Sequence, residues 1–318
     1  MSAPRAGSQL AAIPESNAVI LRRLELTITR RLDGLLQGEH RGLVPGHGSE
    51  LGEARVYQPG DDVRRIDWNV SARMRETYVR DSIADRELEC WLLIDQSSSL
   101  DFGTAAHEKR DLAVEAAGAV GFLTQRGGNR LGALLLRGDR PVTVPPRSGR
   151  QHLLAILQRM LDAPRVEGAV TDLGAGMGRL GAVMRRRGLA VVVSDFLSSN
   201  VEIWAQPLRR LCTRHDVLAI EVLDPRELEL PDVGILTLRD PETGAIREVQ
   251  TSDKRLRERY SVAASAQRSD IAAAIAAAGA GHLSLRTDGD WLRDLVQFVA
   301  LRRRIATGAP ANLAAPSA

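Results

Sequence analysis

Residues 91–103 read WLLIDQSSSLDFG. An apolar run, Trp91-Leu92-Leu93-Ile94, is cut off by an aspartate and three serines before any turn residue appears. A buried strand that ends this way brings one carboxylate and a cluster of hydroxyls to its carboxyl edge. The pattern is D-x-S-x-S, with oxygens at Asp95, Ser97 and Ser99.

Downstream, strands and helices alternate. A helix over 107–126 carries Leu112, Val114, Ala117, Val120 and Leu123, and RLGALLLRG reads as the next strand. RPVTVPP is a short strand whose prolines suit an edge. The helix GRQHLLAILQRML, a helix over 172–187 and the strand LAVVVSDFL follow, the last apolar enough to be buried on both faces. A helix over 202–213 leads into the strand DVLAIEVLD, and GILTLRD with AIREVQT forms a hairpin through PETG. A helix over 253–278, the strand HLSLRT and a helix over 290–304 complete the series. This alternation predicts an α/β fold with a mostly parallel sheet covered on both faces. In such sheets ligands bind outside the carboxyl ends of the strands, where strand order reverses.

That rule selects the chemistry. LLID ends at Asp95, VVVSD ends at Asp195, and the loop before the 172–187 helix carries Thr171. If the two strands are neighbours, the oxygens of Asp95, Ser97, Ser99, Thr171 and Asp195 converge in one crevice. Carboxylate and hydroxyl oxygens suit a hard divalent cation: Mg²⁺ first, with Mn²⁺ or Ca²⁺ as further candidates. Two aspartates balance the 2+ charge, and so few protein ligands leave a position open for a partner's carboxylate.

Composition excludes several classes. The 318 residues are 44% hydrophobic but only 3% aromatic, so the core must be aliphatic. Basic residues number 43 against 40 acidic ones, and only Lys109 and Lys254 are lysines. Arginine and acid interleave without a basic stripe or stacking platform, which argues against nucleic acid. Cys90 and Cys212 form neither a zinc pattern nor a disulfide framework. The start has no signal-peptide core, and IAAAIAAAGAG at 271–281 is too short to span a bilayer. A soluble, cytoplasmic protein with no integral membrane segment is expected.

The amino-terminal part reads differently. After a loose tail at 1–17, an amphipathic helix runs from Val19 to about Leu36. Beyond a Gly- and His-containing loop comes RVYQPGDDVRRIDWNVSARMRETYVRD. Its charges could be solvated surface pairs, each of little worth. Yet Tyr57, Asp61, Asp62, Arg64, Asp67, Trp68 and Arg73 crowd two aromatics among charges. An ordered network that docks this segment onto the rest of the chain, or onto a partner, is the favoured reading.

The five oxygen positions resemble the metal-ion-dependent adhesion site of von Willebrand factor A-like domains, with every position filled. Arg55, Tyr57, Pro59-Gly60-Asp61-Asp62, Arg64, Ile66-Asp67-Trp68 and Ala72-Arg73 resemble the signature of the bacterial domain of unknown function family number fifty-eight. The resemblance covers roughly residues 18–304. Outside it, the tails at 1–17 and 305–318, the latter Ala/Pro-rich, are expected to be disordered from their composition. The resemblance implies a doubly wound A-like domain at 88–304 and an amino-terminal accessory segment at 18–87. It also implies association with MoxR-type AAA ATPases, the A-like domain recognising a client with an acidic docking residue or recruiting the ATPase. Many relatives carry amino-terminal transmembrane helices, and this chain shows none.

Competing readings remain. Asp95 and Asp195 could each cap a turn or a helix. Gly176-Met177-Gly178-Arg179-Leu180-Gly181 matches G-x-G-x-x-G, but no buried strand precedes it, so the glycines are expected to serve helix packing. His40 and His47 have no ligand spacing. The functional expectation is a non-enzymatic, metal-dependent protein-binding module. The alternative is a Mg²⁺-dependent hydrolase on the same carboxylates, which needs a general acid or base near Asp95 and a phosphate-binding Arg or Lys. A haloacid-dehalogenase-type enzyme would carry that acid at position 97, where this chain has Ser97.

Overall fold

The computed structural model describes residues 17–35, 54–58, 63, 66–74, 76–80, 88–105, 107–138, 140–165, 168, 171–198, 200–239 and 244–307. Pro59, Gly60, Asp61, Asp62, Arg64, both His40 and His47, and residues 1–16 and 308–318 lie outside them. The tails expected at 1–17 and 305–318 are cut back at their inner ends, since Asn17 opens the first helix and residues 305–307 continue the last. Helix α1 (Asn17–Leu35) comes first, followed by an antiparallel pair, β1 (Ala54–Val56) and β2 (Tyr78–Arg80), with α2 (Trp68–Met74) between its strands. Next are β3 (Glu89–Asp95), α3 (Lys109–Arg126), β4 (Arg130–Leu136), β5 (Val142–Arg147) and α4 (Arg150–Leu161). Then follow α5 (Leu173–Val183), β6 (Leu189–Ser194), α6 (Glu202–Cys212) and β7 (Asp216–Leu223). The hairpin β8 (Ile235–Arg239) and β9 (Ile246–Gln250), helix α7 (Lys254–Ala278), β10 (Gly281–Arg286) and α8 (Trp291–Thr307) end the fold.

The main sheet has the order β10-β7-β6-β3-β4-β5. Every pairing is parallel except β4 with β5, and Pro145 and Pro146 put β5 at the edge because proline cannot donate to a second ladder. From β3 the chain goes outward to β4 and β5, then returns to lay β6 on the other side. Strand order therefore reverses between β3 and β6, with Ile94 level with Val193. This is a mixed, mostly parallel sheet flanked by helices, resembling a von Willebrand factor A-like fold.

Alternation along the strands builds two apolar layers. Leu92, Ile94, Val191 and Val193 pack with Val120, Leu157 and Leu295 of the helices on one face, and α1 adds Leu21, Leu24 and Ile28 to that same layer. Trp91, Leu93, Ala190 and Val192 pack with Leu180, Leu208 and Ile275 on the other. Among the described residues, no helix is long and apolar enough to cross a membrane.

Helix α5 is shorter than the expected 172–187 span. It stops at Val183 because the chain must turn back beside β3, where a Cβ on Gly188 would lie 2.2 Å from the Glu89 carbonyl oxygen. The glycines of the helix divide by role. Gly176 admits the Leu136 side chain, while Gly178 meets nothing and Gly181 only brushes Leu211. The tightest approach is at Gly174, where a Cβ would lie 2.3 Å from the Ile203 carbonyl oxygen of α6. Backbone cannot move aside as a side-chain tip can. Gly174→Ala is expected to cost about 1–3 kcal/mol, read as a lowered melting temperature, by forcing α5 off α6. Because α5 starts two residues after Thr171, with Asp172 as its cap, the same shift should disturb the crevice.

Candidate metal centre

Asp95 closes β3, and the amide of Ser97 donates to its Oδ1 at 2.9 Å. Asp195 follows β6, and the amide of Leu197 donates to its Oδ1 at 3.1 Å. Both carboxylates thus make the local turn that a capping reading anticipates. The turn uses only part of each. Asp95 Oδ1 also accepts from Thr171 Oγ1 and its Oδ2 from Ser194 Oγ, both at 2.7 Å. Ser97 Oγ and Ser99 Oγ lie 3.0 Å apart, and the Ser99 hydroxyl bonds to the Asp195 carboxylate. All five residues read from the sequence therefore meet in one crevice. Asp95 is 5% exposed and Asp195 1%, with Thr171 half-buried at the rim.

Backbone strain sits beside the site. Phe196 has φ 54°, the left-handed region, although it carries a bulky side chain. The conformation is held by a T-shaped contact with Trp204 at 5.2 Å and by the Phe196 amide donating to Ser194 Oγ at 3.0 Å. This turn aims Asp195 across the strand ends.

The sequence reading did not foresee Lys109. It is the first residue of α3, where the helix dipole disfavours a cation, yet it is 0% exposed. Its ammonium donates to Asp195 Oδ2 at 2.8 Å and to Glu227 Oε1 at 2.5 Å, with the Phe102 ring centroid at 6.0 Å. Arg268 of α7 extends the network, donating to the Asp195 carbonyl at 2.9 Å and to Glu221 and Glu227 at 3.0 Å each. The clue was compositional: in a chain with 43 basic residues and only two lysines, one is buried here.

Four carboxylates (Asp95, Asp195, Glu221, Glu227) face two fixed cations (Lys109, Arg268), leaving two negative charges when all are ionised. Burial pushes the Asp95 carboxyl up and the neighbouring Asp195 charge pushes it further, against the bonds from Thr171, Ser194 and the Ser97 amide. Burial acts the same way on Asp195, but the Lys109 ammonium outweighs it and holds Asp195 below the usual carboxylate range. Lys109 is raised, since its two carboxylates overcome its own desolvation. One aspartate is thus committed to an ammonium, and the other leans toward its neutral form.

Among the described residues, no group of three or more His, Cys, Asp and Glu side chains could hold a metal ion. The donor set here is of another kind: two carboxylates and three hydroxyls, all hard oxygen. It fits Mg²⁺ chemically. A cluster of Ser284, His282 and Glu221 was also missed. It is no catalytic relay, because His282 Nε2 meets Glu221 Oε2 at 2.9 Å and lies 3.4 Å from Ser284 Oγ, while Ser284 donates to that same Glu221 oxygen.

Residues 53–270 match the family described as a protein of unknown function, DUF58. The chain is a member of DUF58. An uncharacterized protein of Mycobacterium tuberculosis strain H37Rv is 55% identical over 288 residues, 90% of each chain. An uncharacterized protein of Mycobacterium avium is 48% identical over 162 residues, 51% of this chain and 94% of that one. Among solved structures, the chain is similar to a conserved hypothetical protein, BatB, of Bacteroides thetaiotaomicron. That likeness has 14% identity, 68% and 99% coverage and a TM-score of 0.45. It is also similar to the SpRpn10 VWA domain, at 14% identity, 66% and 93% coverage and a TM-score of 0.38.

In this DUF58 chain the charged segment is partly described. The Asp67 carboxylate caps α2, accepting from the amides of Asn69 at 3.0 Å and Val70 at 3.2 Å. Tyr57 is half-buried, Arg73 is exposed, and Trp68 stands 71% exposed, so the two aromatics differ in surroundings.

A third strand-end aspartate also serves the DUF58 crevice. Asp224, fully buried after β7, accepts from Thr104 N at 2.8 Å, Thr104 Oγ1 at 2.6 Å, Thr287 Oγ1 at 2.9 Å and Arg226 N at 2.9 Å. It ties the loop after the D-x-S-x-S turn to the ends of β7 and β10. Burial pushes its carboxyl up, but the Thr104, Arg226 and Thr287 donors outweigh that and hold it below 3.8. A depressed carboxylate contributes stability above its unfolded value near pH 4, and that contribution is lost as pH falls through the folded value. The melting-temperature gap between wild type and Asp224→Asn should therefore be full at pH 6 and shrink below about pH 4. Melts across that range check it.

Proposed function

We propose that this DUF58 protein is a non-enzymatic, divalent-cation-dependent protein-binding module of the cytoplasm, an adaptor or client-recognition partner of a MoxR-type AAA ATPase. We read its domain as doubly wound and von Willebrand factor A-like. The observation that carries the proposal is the convergence of Asp95, Ser97, Ser99, Thr171 and Asp195 at the ends of β3 and β6. Asp95, Ser97, Ser99 and Thr171 would hold the ion, with Asp195 shared between it and Lys109. Bound Mg²⁺ supplies an electrophilic contact for an Asp or Glu of the partner. Arg137 follows β4 on the same sheet edge, and burial first, then Arg110 and Arg159, disfavour its charge. This positive flank suits an acidic partner.

One observation favours the hydrolase alternative: the crevice does contain a lysine. Its ammonium, however, is spent on Asp195 and Glu227 and has no exposed surface from which to meet a phosphate. Position 97 supplies a hydroxyl where that chemistry needs a carboxylic acid. The test is binding of a purified MoxR-type AAA ATPase with Mg²⁺ or with chelator, alongside phosphomonoester turnover. Binding that needs Mg²⁺, without turnover, is the expected result. Turnover abolished in Asp95→Ala would favour the hydrolase.

A further inference from the structure

Helix α7 is only half used by the core. Its buried residues are Ile271, Ile275 and Ala278, all in its last third. The stretch from Lys254 to Ala266 faces the β8–β9 hairpin, whose strands pair only with each other among the described residues. Between hairpin and helix lies an open groove of about 1270 Å³. Leu238, Val249, Leu256, Val262 and Ala263 line it, and Val262 is 71% exposed. The pairs Leu236–Val249 and Leu238–Arg247 share one face of the hairpin, so the apolar side of the groove is built into its register. None of these residues belongs to the cation site.

The charges around the groove select its occupant. Among the described residues, Arg247, Arg255 and Arg259 line it against one acid, Glu258. A second copy of the chain, docking the same face symmetrically, would set arginine against arginine. A bilayer is flat, whereas this surface is concave. An apolar floor with a basic rim matches helix-in-groove recognition, in which an apolar ridge fills the groove and flanking charges choose the partner. We propose that the groove between β8–β9 and the first half of α7 docks an acidic amphipathic helix of a partner protein, independently of the cation site.

The test uses two labelled synthetic helical peptides with the same leucine ridge, one flanked by glutamates and one by lysines. Fluorescence anisotropy is read with the full-length protein in chelator. The acidic peptide should bind, weaken as salt rises, and bind Asp95→Ala as well as wild type. Val262→Asp should lose about tenfold or more in affinity, as expected of a central apolar contact, with its melting temperature unchanged. Arg255→Glu with Arg259→Glu should reverse the preference toward the lysine peptide. The proposal is overturned if the acidic peptide fails to bind, if the lysine peptide binds wild type equally well, or if these variants leave binding unchanged. Self-association of the free chain that Val262→Asp abolishes, or binding to anionic vesicles in place of peptide, would also overturn it. A failed ATPase capture leaves this result standing, because no metal enters the assay.

Discussion

Lys109→Met is expected to lower folding stability by about 3–5 kcal/mol, the range for removing one partner of a buried ion pair. Methionine can fill the space of the lysine stem, so the loss comes from the ammonium. Asp195 would be left buried and Glu227 half-buried, with Arg268 the remaining cation bonded to Glu227. For a domain of this size the melting temperature should fall by roughly 10 °C. The folded pKa of Lys109 is raised, so its contribution is fully present below about pH 10.4 and is lost only as pH rises through that higher value. The gap between wild type and variant should therefore stay level from pH 6 to 9. In a double-mutant cycle, Asp195→Asn should cost less on the Lys109→Met background than on wild type, because the stranded charge is already removed. Added Mg²⁺ should raise the melting temperature of Lys109→Met more than that of wild type, since the variant's network carries one more uncompensated negative charge. Additive losses, or no response to Mg²⁺, would show that the lysine and the cation do not share Asp195.

Asp95→Ala should abolish cation-dependent partner binding while leaving the fold intact. Losing a buried, charge-paired contact at an interface costs about 2–5 kcal/mol, enough to remove a moderate affinity from the measurable range. The stability loss should be modest, about 1–3 kcal/mol, because the Ser97 amide and the Thr171 and Ser194 hydroxyls lose their acceptor while burial and Asp195 already push Asp95 toward its neutral form. Ser97→Ala should cost about 1 kcal/mol of binding, since it removes one neutral oxygen that water can replace. Asp195→Ala should match Asp95→Ala in binding but destabilise more, as it leaves the buried Lys109 with Glu227 as its one carboxylate partner. That contrast separates the two aspartates: losing Asp95 removes an acceptor of hydrogen bonds, losing Asp195 also removes a buried ion pair.

How much of this was legible depended on how local each signal was. The strand-end carboxylates, the edge position of β5 and the hairpin β8–β9 follow from apolar runs and turn residues read within a few positions. Lys109 meets Asp195 across 86 residues and Glu227 across 118, and no periodicity reports such a pairing. Ser194 drew no notice within LAVVVSDFL, because its role depends on β3 and β6 lying side by side, which brings its hydroxyl to Asp95. Asp224 stood in plain view at the end of DVLAIEVLD, yet its role depends on Thr104 and Thr287, which only the fold brings to it. In the G-x-G-x-x-G stretch the spacing misled: the close approach to backbone is at Gly174, outside the motif.

The central claim, that the crevice at the end of β3 and β6 holds a divalent cation, is tested most directly by titrating the purified chain with Mn²⁺ and following the free ion by electron paramagnetic resonance. One ion bound per chain, displaced by excess Mg²⁺ and lost in Asp95→Ala, is the predicted result. A free-ion signal that wild type leaves undiminished, or that Asp95→Ala diminishes equally, would contradict it.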